Sequence, residues 1–266
     1  MRRLCAALAV LGCAHTAPGE RLAFTQPPSS EPDLVQLQFA AAKEEYEEKR
    51  YEDAARRLHA LAELPGLDPL RRGSALLQEG VCRIEAGQRV EGQALLRQAL
   101  EIFDREAEKQ PIDPTLRSQA EYWLGEAYDR EFRELQLDPA GMTDDALSQA
   151  LERKTALLLS AQGHFLRCIR QGDGDWAVAA GYRIGEMYEV LHDQLLAAPL
   201  PADLTEEQRA LYLQELKGRL RILVEKAIGI YQETVEAAER TGARGDAIAR
   251  ANAGIERLRR SLLESN

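Results

Sequence analysis

The chain has 266 residues, 45% of them hydrophobic, 29% charged and 6% aromatic, and its 34 Lys plus Arg against 44 Asp plus Glu give a formal net charge of −10. So acidic a chain lacks the cationic face that displaces counterions from phosphate, which excludes a nucleic-acid partner, and its apolar fraction excludes wholesale disorder. Abundant Ala, Leu, Glu, Gln and Arg, with few runs of Val, Ile or Thr, predict an all-α protein.

Residues 1–13 read M-R-R-L-C-A-A-L-A-V-L-G-C, with two arginines, an apolar run from Leu4 to Leu11, then Gly12 and Cys13. A basic start, an apolar stretch and a small residue before a cleavage point form the layout of a secretory signal. Eight apolar residues are too few to cross a bilayer, which takes about 20. The Val10-Leu11-Gly12-Cys13 ending resembles a bacterial lipobox, and that resemblance implies a signal peptide over residues 1–12 and a diacylated Cys13 at the mature N-terminus. Ala14 follows Cys13 where Asp would otherwise retain a lipoprotein at the inner membrane, so the expected location is the outer membrane, facing the periplasm. Residues 13–33 contain Pro18, Pro27, Pro28 and Pro32 without periodicity, and read as a tether reaching roughly 60 Å at about 3 Å per residue. Loss of Arg2 and Arg3 with the signal makes the mature charge −12.

The body, residues 34–266, repeats itself. The first copy, residues 39–64, carries Tyr46, the turn Lys49-Arg50-Tyr51-Glu52-Asp53-Ala54, then Leu58 and Leu61. A second, residues 76–100, places Gly80, Gly87, Gly92 and Ala99 at small-residue positions, with Leu96 in a core slot. A third opens on Trp123-Leu124-Gly125-Glu126-Ala127-Tyr128 and is echoed sixty residues on by Arg183-Ile184-Gly185-Glu186-Met187-Tyr188. An apolar residue, a Gly, then a Tyr three residues later resembles the first helix of a tetratricopeptide repeat. The resemblance implies a solenoid of helical hairpins in which Gly admits the second helix and Tyr fills the gap between units. Cys82 and Cys168 fall at small positions of two different copies, so buried thiols are expected rather than a bridge.

The last two copies are stretched. After Tyr128 the expected Ala arrives at Ala161, followed by Phe165 and Cys168; after Tyr188 it arrives at Ala227, followed by Tyr231 and Thr234. Leu147, Leu151, Leu158, Ala161, Phe165 and Cys168 keep helical spacing, broken by Lys154. Leu213, Leu216, Leu220, Leu223, Ala227, Ile230, Thr234 and Ala237 form a heptad seam, on a helix over residues 205–240 of roughly 54 Å at 1.5 Å per residue. Asp113-Pro114 supplies a cap and first-turn proline, Thr205 with Gln208 a capping box, and Asp175 a helix start after Gly172 and Gly174. Pro199, Pro201 and Gly242 mark stops. Residues 246–263 read as a C-terminal capping helix.

The segments W-L-G-E-A-Y, A-Q-G-H-F-L-R-C-I-R and W-A-V-A-A-G-Y-R-I-G-E-M-Y, with E-K-A-I-G-I-Y beyond them, resemble tetratricopeptide proteins of gliding myxobacteria. Some of those belong to adventurous gliding motility complexes of the envelope, so the resemblance implies a periplasmic scaffold.

Convergent chemistry is sparse. His164 with Cys168 offers half a metal site and Glu189 with His192 half of a carboxylate-bridged one, each lacking a second pair. Asp173-Gly174-Asp175 lacks the remaining ligands of a calcium loop, and no phosphate loop or nucleophile elbow occurs. No cofactor or metal is expected. The resemblance instead places a partner groove on the first helices of the third and fourth copies, at Tyr122, Glu126, Asp129, Arg130, Tyr182, Arg183, Glu186 and Glu189, suited to a basic or aromatic peptide. The competing expectation has Glu126 and Glu186 paired with Arg130 and Arg183 on a solvated face. The run Glu44-Glu45-Tyr46-Glu47-Glu48 reads as an exposed helix face. The chain thus reads as a non-enzymatic scaffold, lipid-anchored at Cys13, whose partners are envelope proteins or peptides, with no nucleic acid and no small-molecule substrate. The alternatives are an outer-membrane assembly or secretion lipoprotein, and a metal-binding helical protein or enzyme.

Overall fold

The computed structural model describes residues 33–138, 141–200 and 204–264, so the expected signal, Cys13 and nearly all of the tether lie outside the described residues. Among the described residues the protein is all-α: nine helices, no strand, 83% helical. These are α1 (Leu34–Glu47), α2 (Tyr51–Ala62), α3 (Pro69–Glu85), α4 (Arg89–Ala107), α5 (Pro114–Glu134), α6 (Asp144–Arg170), α7 (Gly174–Ala197), α8 (Glu206–Thr241) and α9 (Asp246–Glu264).

Local chemistry sets the boundaries. Asp33 ends the expected tether by capping α1, accepting from the Gln36 amide at 2.9 Å while its other oxygen pairs with Arg71. Asp68 and Asp113 cap α3 and α5, each followed by a proline in the first turn, where its missing N–H costs no hydrogen bond. Thr205 and Gln208 form the expected capping box of α8, and Gly242 ends that helix in the left-handed region. One boundary differs from the sequence expectation: Asp173, not Asp175, caps α7, because its carboxylate accepts from the Trp176 amide and leaves Gly174 inside the helix.

Each helix packs on the next, and α3, α5, α7 and α9 also touch one another in series. One apolar core runs through the array from Phe39 to Leu258. Glycines mark the tightest approaches: a Cβ on Gly125 would lie 2.6 Å from the Phe165 ring, and one on Gly185 2.5 Å from the Tyr231 ring. Gly80 and Gly92 make a similar contact between α3 and α4. Gly87, expected at such a packing position, instead ends α3 in a turn with φ 83°.

The two long helices carry corrections to their predicted seams. In α6 the apparent break, Lys154, is 1% exposed, whereas Leu151, expected in the seam, is 37% exposed. Lys154 Nζ donates to the carbonyls of Phe132 at 2.7 Å and Leu135 at 2.5 Å and sits 4.3 Å from the Phe132 ring centre. A buried cation thereby satisfies orphan carbonyls at the end of α5, where the helix dipole also favours it. In α8 the buried set is Leu220, Val224, Ala227, Tyr231, Thr234 and Ala238, so every second seam position moves one residue on. The helix packs against both α7 and α9, and burial centres between two neighbours instead of facing one.

Cys82 and Cys168 are separately buried and unbridged, and burial pushes both thiols well above their ordinary range.

Candidate functional site

The eight residues expected to line an open groove lie mostly inside the protein. Tyr122, Glu126 and Asp129 on α5 are 1%, 2% and 1% exposed, and Arg183 on α7 is 7% exposed. Tyr182 and Glu189 are buried as well, while Arg130 and Glu186 are half-buried. The repeat resemblance places them on a lining face because the first helices of such repeats present both packing and groove positions. Here these polar positions are spent on neighbouring helices, on α3, α5, α7, α8 and α9, or on partners along their own helix.

What they form is a buried charge network between α5 and α7. Arg183 Nε lies 2.5 Å from Glu126 Oε1 and its Nη2 donates to Glu126 Oε2 at 2.9 Å, across the helix interface. Its Nη1 donates to Glu186 Oε2 at 2.8 Å, which realises the expected i,i+3 pair. Tyr182 donates to Glu186 Oε1 at 2.8 Å. Arg133, which sequence reasoning passed over, bridges Glu186 at 2.8 Å and Asp129 at 2.8 Å. Its position four residues after Asp129 was the available signal, at the spacing of a helical ion pair. Arg130 does not join its expected partner Glu126; it reaches back to α3, to Glu85 at 3.0 Å and the Ile84 carbonyl at 3.1 Å. Glu189 accepts from Tyr231 at 3.0 Å and from Arg257 Nε at 2.7 Å, joining α7 to α8 and α9.

Glu126, Asp129 and Glu186 share the guanidiniums of Arg133 and Arg183, and the proton affinities of Asp129 and Glu186 move in opposite directions. Burial pushes Asp129 up to about 6, against the pull of Arg133 and Arg183. Burial acts the same way on Glu186, but Arg183 and Arg133 outweigh it and hold that carboxyl at about 2. Asp129 Oδ1 is buried without a hydrogen-bond partner. The folded pKa of Asp129 lies above its unfolded value of 3.8, so its contribution to stability is complete below about pH 4 and is lost as pH rises through 6. Glu186 has the opposite sign, present above 4.5 and lost as pH falls through about 2. Denaturant midpoints measured at pH 4.5 and 7 are expected to fall less in Asp129→Asn than in wild type. The difference should be on the order of 1–2 kcal/mol, and equal falls in both proteins would refute the assignment.

The metal candidates are likewise engaged. His164 Nδ1 lies 2.7 Å from Glu121, which also accepts from Arg167 at 3.1 Å, and the imidazole stacks on Tyr128. Cys168 Sγ points to the Trp176 carbonyl at 3.6 Å. His192 contacts Asp193, not Glu189. Asp175 accepts from the Arg244 amide at 3.1 Å. Among the described residues no group of three or more His, Cys, Asp or Glu side chains is placed to hold a metal ion. In the acidic run of α1, Glu45 turns inward to Arg57 at 2.6 Å while Glu44, Glu47 and Glu48 stay exposed. A cleft of about 310 Å³ lies between α6, α7 and α8, walled by Leu166, Ile169, Ile184, Ile230 and Ala237 with Glu233 and Arg240 among its polar lining. It offers apolar contact rather than acid–base chemistry. No described helix is long and apolar enough to cross a membrane.

The chain matches no family model, no curated protein and no solved structure.

Proposed function

We propose that this protein is a non-enzymatic interaction scaffold: a tetratricopeptide-like solenoid tethered by a lipidated Cys13 to the periplasmic side of the outer membrane, where it serves an envelope complex of the motility or secretion kind. The observation that carries the scaffold reading is the recurrent lock of a glycine on an odd helix against a large side chain on the next even one. Gly80 meets Leu96, Gly125 meets Phe165 and Gly185 meets Tyr231. A unit built this way buries its face only by stacking on its neighbours, which is the logic of repeat arrays. Its buried ionisable groups are consumed in holding those units together, and that is support for a binding surface over a reaction centre. Repeat arrays bind through accessible surface, commonly a concave one, and the residues expected to line that groove are mostly buried, so partner contact falls to other, exposed side chains and not to the network described above.

The anchor has its own support in the order of residues 1–13. Labelling with a radioactive fatty acid is expected to mark the wild-type protein and leave Cys13→Ser unmarked, with the variant moving from the membrane to the soluble periplasmic fraction. Unlabelled, soluble wild type would remove the anchor from the proposal. Affinity purification from membranes tests the scaffold directly, and reproducible recovery of defined envelope proteins is the expected result.

A further inference from the structure

Helix α8 outruns the core. Its first seven residues, 206–212, are all exposed, and the first buried side chain is Leu220. At 100° per residue, Leu211, Gly218 and Ile222 fall on one face of this arm, opposite Leu220, Val224 and Tyr231. Leu211 is 61% and Ile222 60% exposed, and Tyr212 beside them is 45% exposed. A Cβ on Gly218 would meet nothing within 4 Å, as at Gly229 further along α8 and unlike the packed Gly185 and Gly254. A glycine inside a helix is destabilising relative to alanine, and no described residue packs against the open position at Gly218. Charge is polarised along the same arm. Residues 206–216, with Glu206, Glu207, Arg209 and Glu215, carry a net −2, whereas residues 217–226, with Lys217, Arg219, Arg221, Glu225 and Lys226, carry a net +3.

We propose that the α8 arm pairs antiparallel with the same arm of a second copy, making a two-fold symmetric dimer. A parallel partner would set like charges side by side, while an antiparallel one sets the acidic half of each arm against the basic half of the other. Such self-complementarity is what a two-fold interface requires. Pairing centred between Leu216 and Lys217 puts Leu211 against Ile222 of the partner subunit. The same register brings Glu215 of one copy over the open space at Gly218 of the other, beside the partner subunit's Arg219. The occupant is a second copy because both halves of the charge pattern and both apolar anchors are supplied by one segment. The pairing is independent of the lipid anchor and of any envelope partner, so its failure leaves the scaffold reading standing.

Register-specific crosslinking tests it with the full-length chain. Leu211→Cys and Ile222→Cys are made separately in a Cys5→Ser/Cys13→Ser background, where the remaining Cys82 and Cys168 are buried; both new sites are exposed, and circular dichroism checks that each variant folds. Mixed and oxidised, the two variants are expected to give a covalent dimer. Leu211→Cys alone is expected to give none, because antiparallel arms hold the two copies of residue 211 about 16 Å apart at 1.5 Å per residue. A dimer from Leu211→Cys alone would establish parallel pairing and overturn the proposal, as would absence of a crosslink in the mixture. A charge swap gives a second readout. Glu215→Lys and Arg219→Glu are each expected to weaken self-association about tenfold by sedimentation, and a mixture of the two to restore it. If the wild-type chain is monomeric at 100 μM, or the arm instead binds anionic phosphatidylglycerol vesicles as a monomer, the proposal falls.

Discussion

Arg183→Ala is expected to destabilise the protein by about 3–5 kcal/mol, the range for removing one partner from a buried ion pair. Arg183 is the cation that reaches Glu126 across the α5–α7 interface, and Glu126 is 2% exposed, so water cannot replace the guanidinium. Glu186 keeps Arg133, but that guanidinium must also serve Asp129. Tyr122, 3.4 Å from Arg183 Nε, loses its contact too. The penalty belongs to the stranded carboxylate more than to the lost attraction, because well-packed apolar replacements for a buried ion pair are often neutral. The double variant Glu126→Gln/Arg183→Met is therefore expected to be more stable than Arg183→Ala. Urea unfolding of wild type, the single and the double variant checks both statements. A single-variant cost under 1 kcal/mol would show that the network is hydrated rather than buried.

Tyr231→Ala carries the second large effect, about 3–5 kcal/mol for deleting a fully buried aromatic. The ring is 0% exposed and fills the space left by two glycines, with ideal Cβ positions 2.5 Å away on Gly185 of α7 and 2.6 Å away on Gly254 of α9. It stacks on Tyr182 with ring centres 5.7 Å apart. Its hydroxyl donates to Glu189, whose other oxygen is held by Arg257 of α9. Three helices thus meet on one side chain. Loss of the ring should free α9 first, so amide hydrogen exchange in residues 246–264 is expected to accelerate more than exchange in α3 or α4. Tyr231→Phe keeps the packing and removes only the hydroxyl, for an expected cost of about 1–2 kcal/mol. Equal protection of α9 in wild type and Tyr231→Ala would place the closing contact of the array elsewhere.

Much of the local structure was legible because short-range chemistry determines it. Asp113-Pro114 and Thr205 with Gln208 each start a helix, and Gly242 ends one, through groups within a few residues, and the structure places those boundaries as expected. Glycine and aromatic spacing located Gly125, Gly185, Phe165 and Tyr231 as contact positions for the same reason: only a residue without a side chain leaves room for a ring at 2.5–2.6 Å. The α8 seam was half legible. Leu220, Ala227 and Thr234 were placed correctly, but a heptad assumes one partner, and α8 has two. Lys154 was read as an interruption because hydropathy is blind to the carbonyls that a neighbouring helix presents.

The polar positions of α5 and α7 show where sequence reasoning stops. Which residue types stand on one face of α5 or α7 follows from the 3.6-residue period, but it is the resemblance to a tetratricopeptide first helix that singles out Glu126, Asp129, Arg183 and Glu186. Whether such a face meets water or another helix depends on the rotation of one helix against the next. Side chains far apart in the chain set that rotation, among them Trp176 against Tyr122 at 5.0 Å. Composition, caps and repeat spacing determined that this protein is helical and where its helices begin and end, since those terms are local. Only the tertiary structure decided that its most conspicuous charges are internal ties and that a bipolar arm on α8 is left exposed, since burial is a property of neighbours and not of residues.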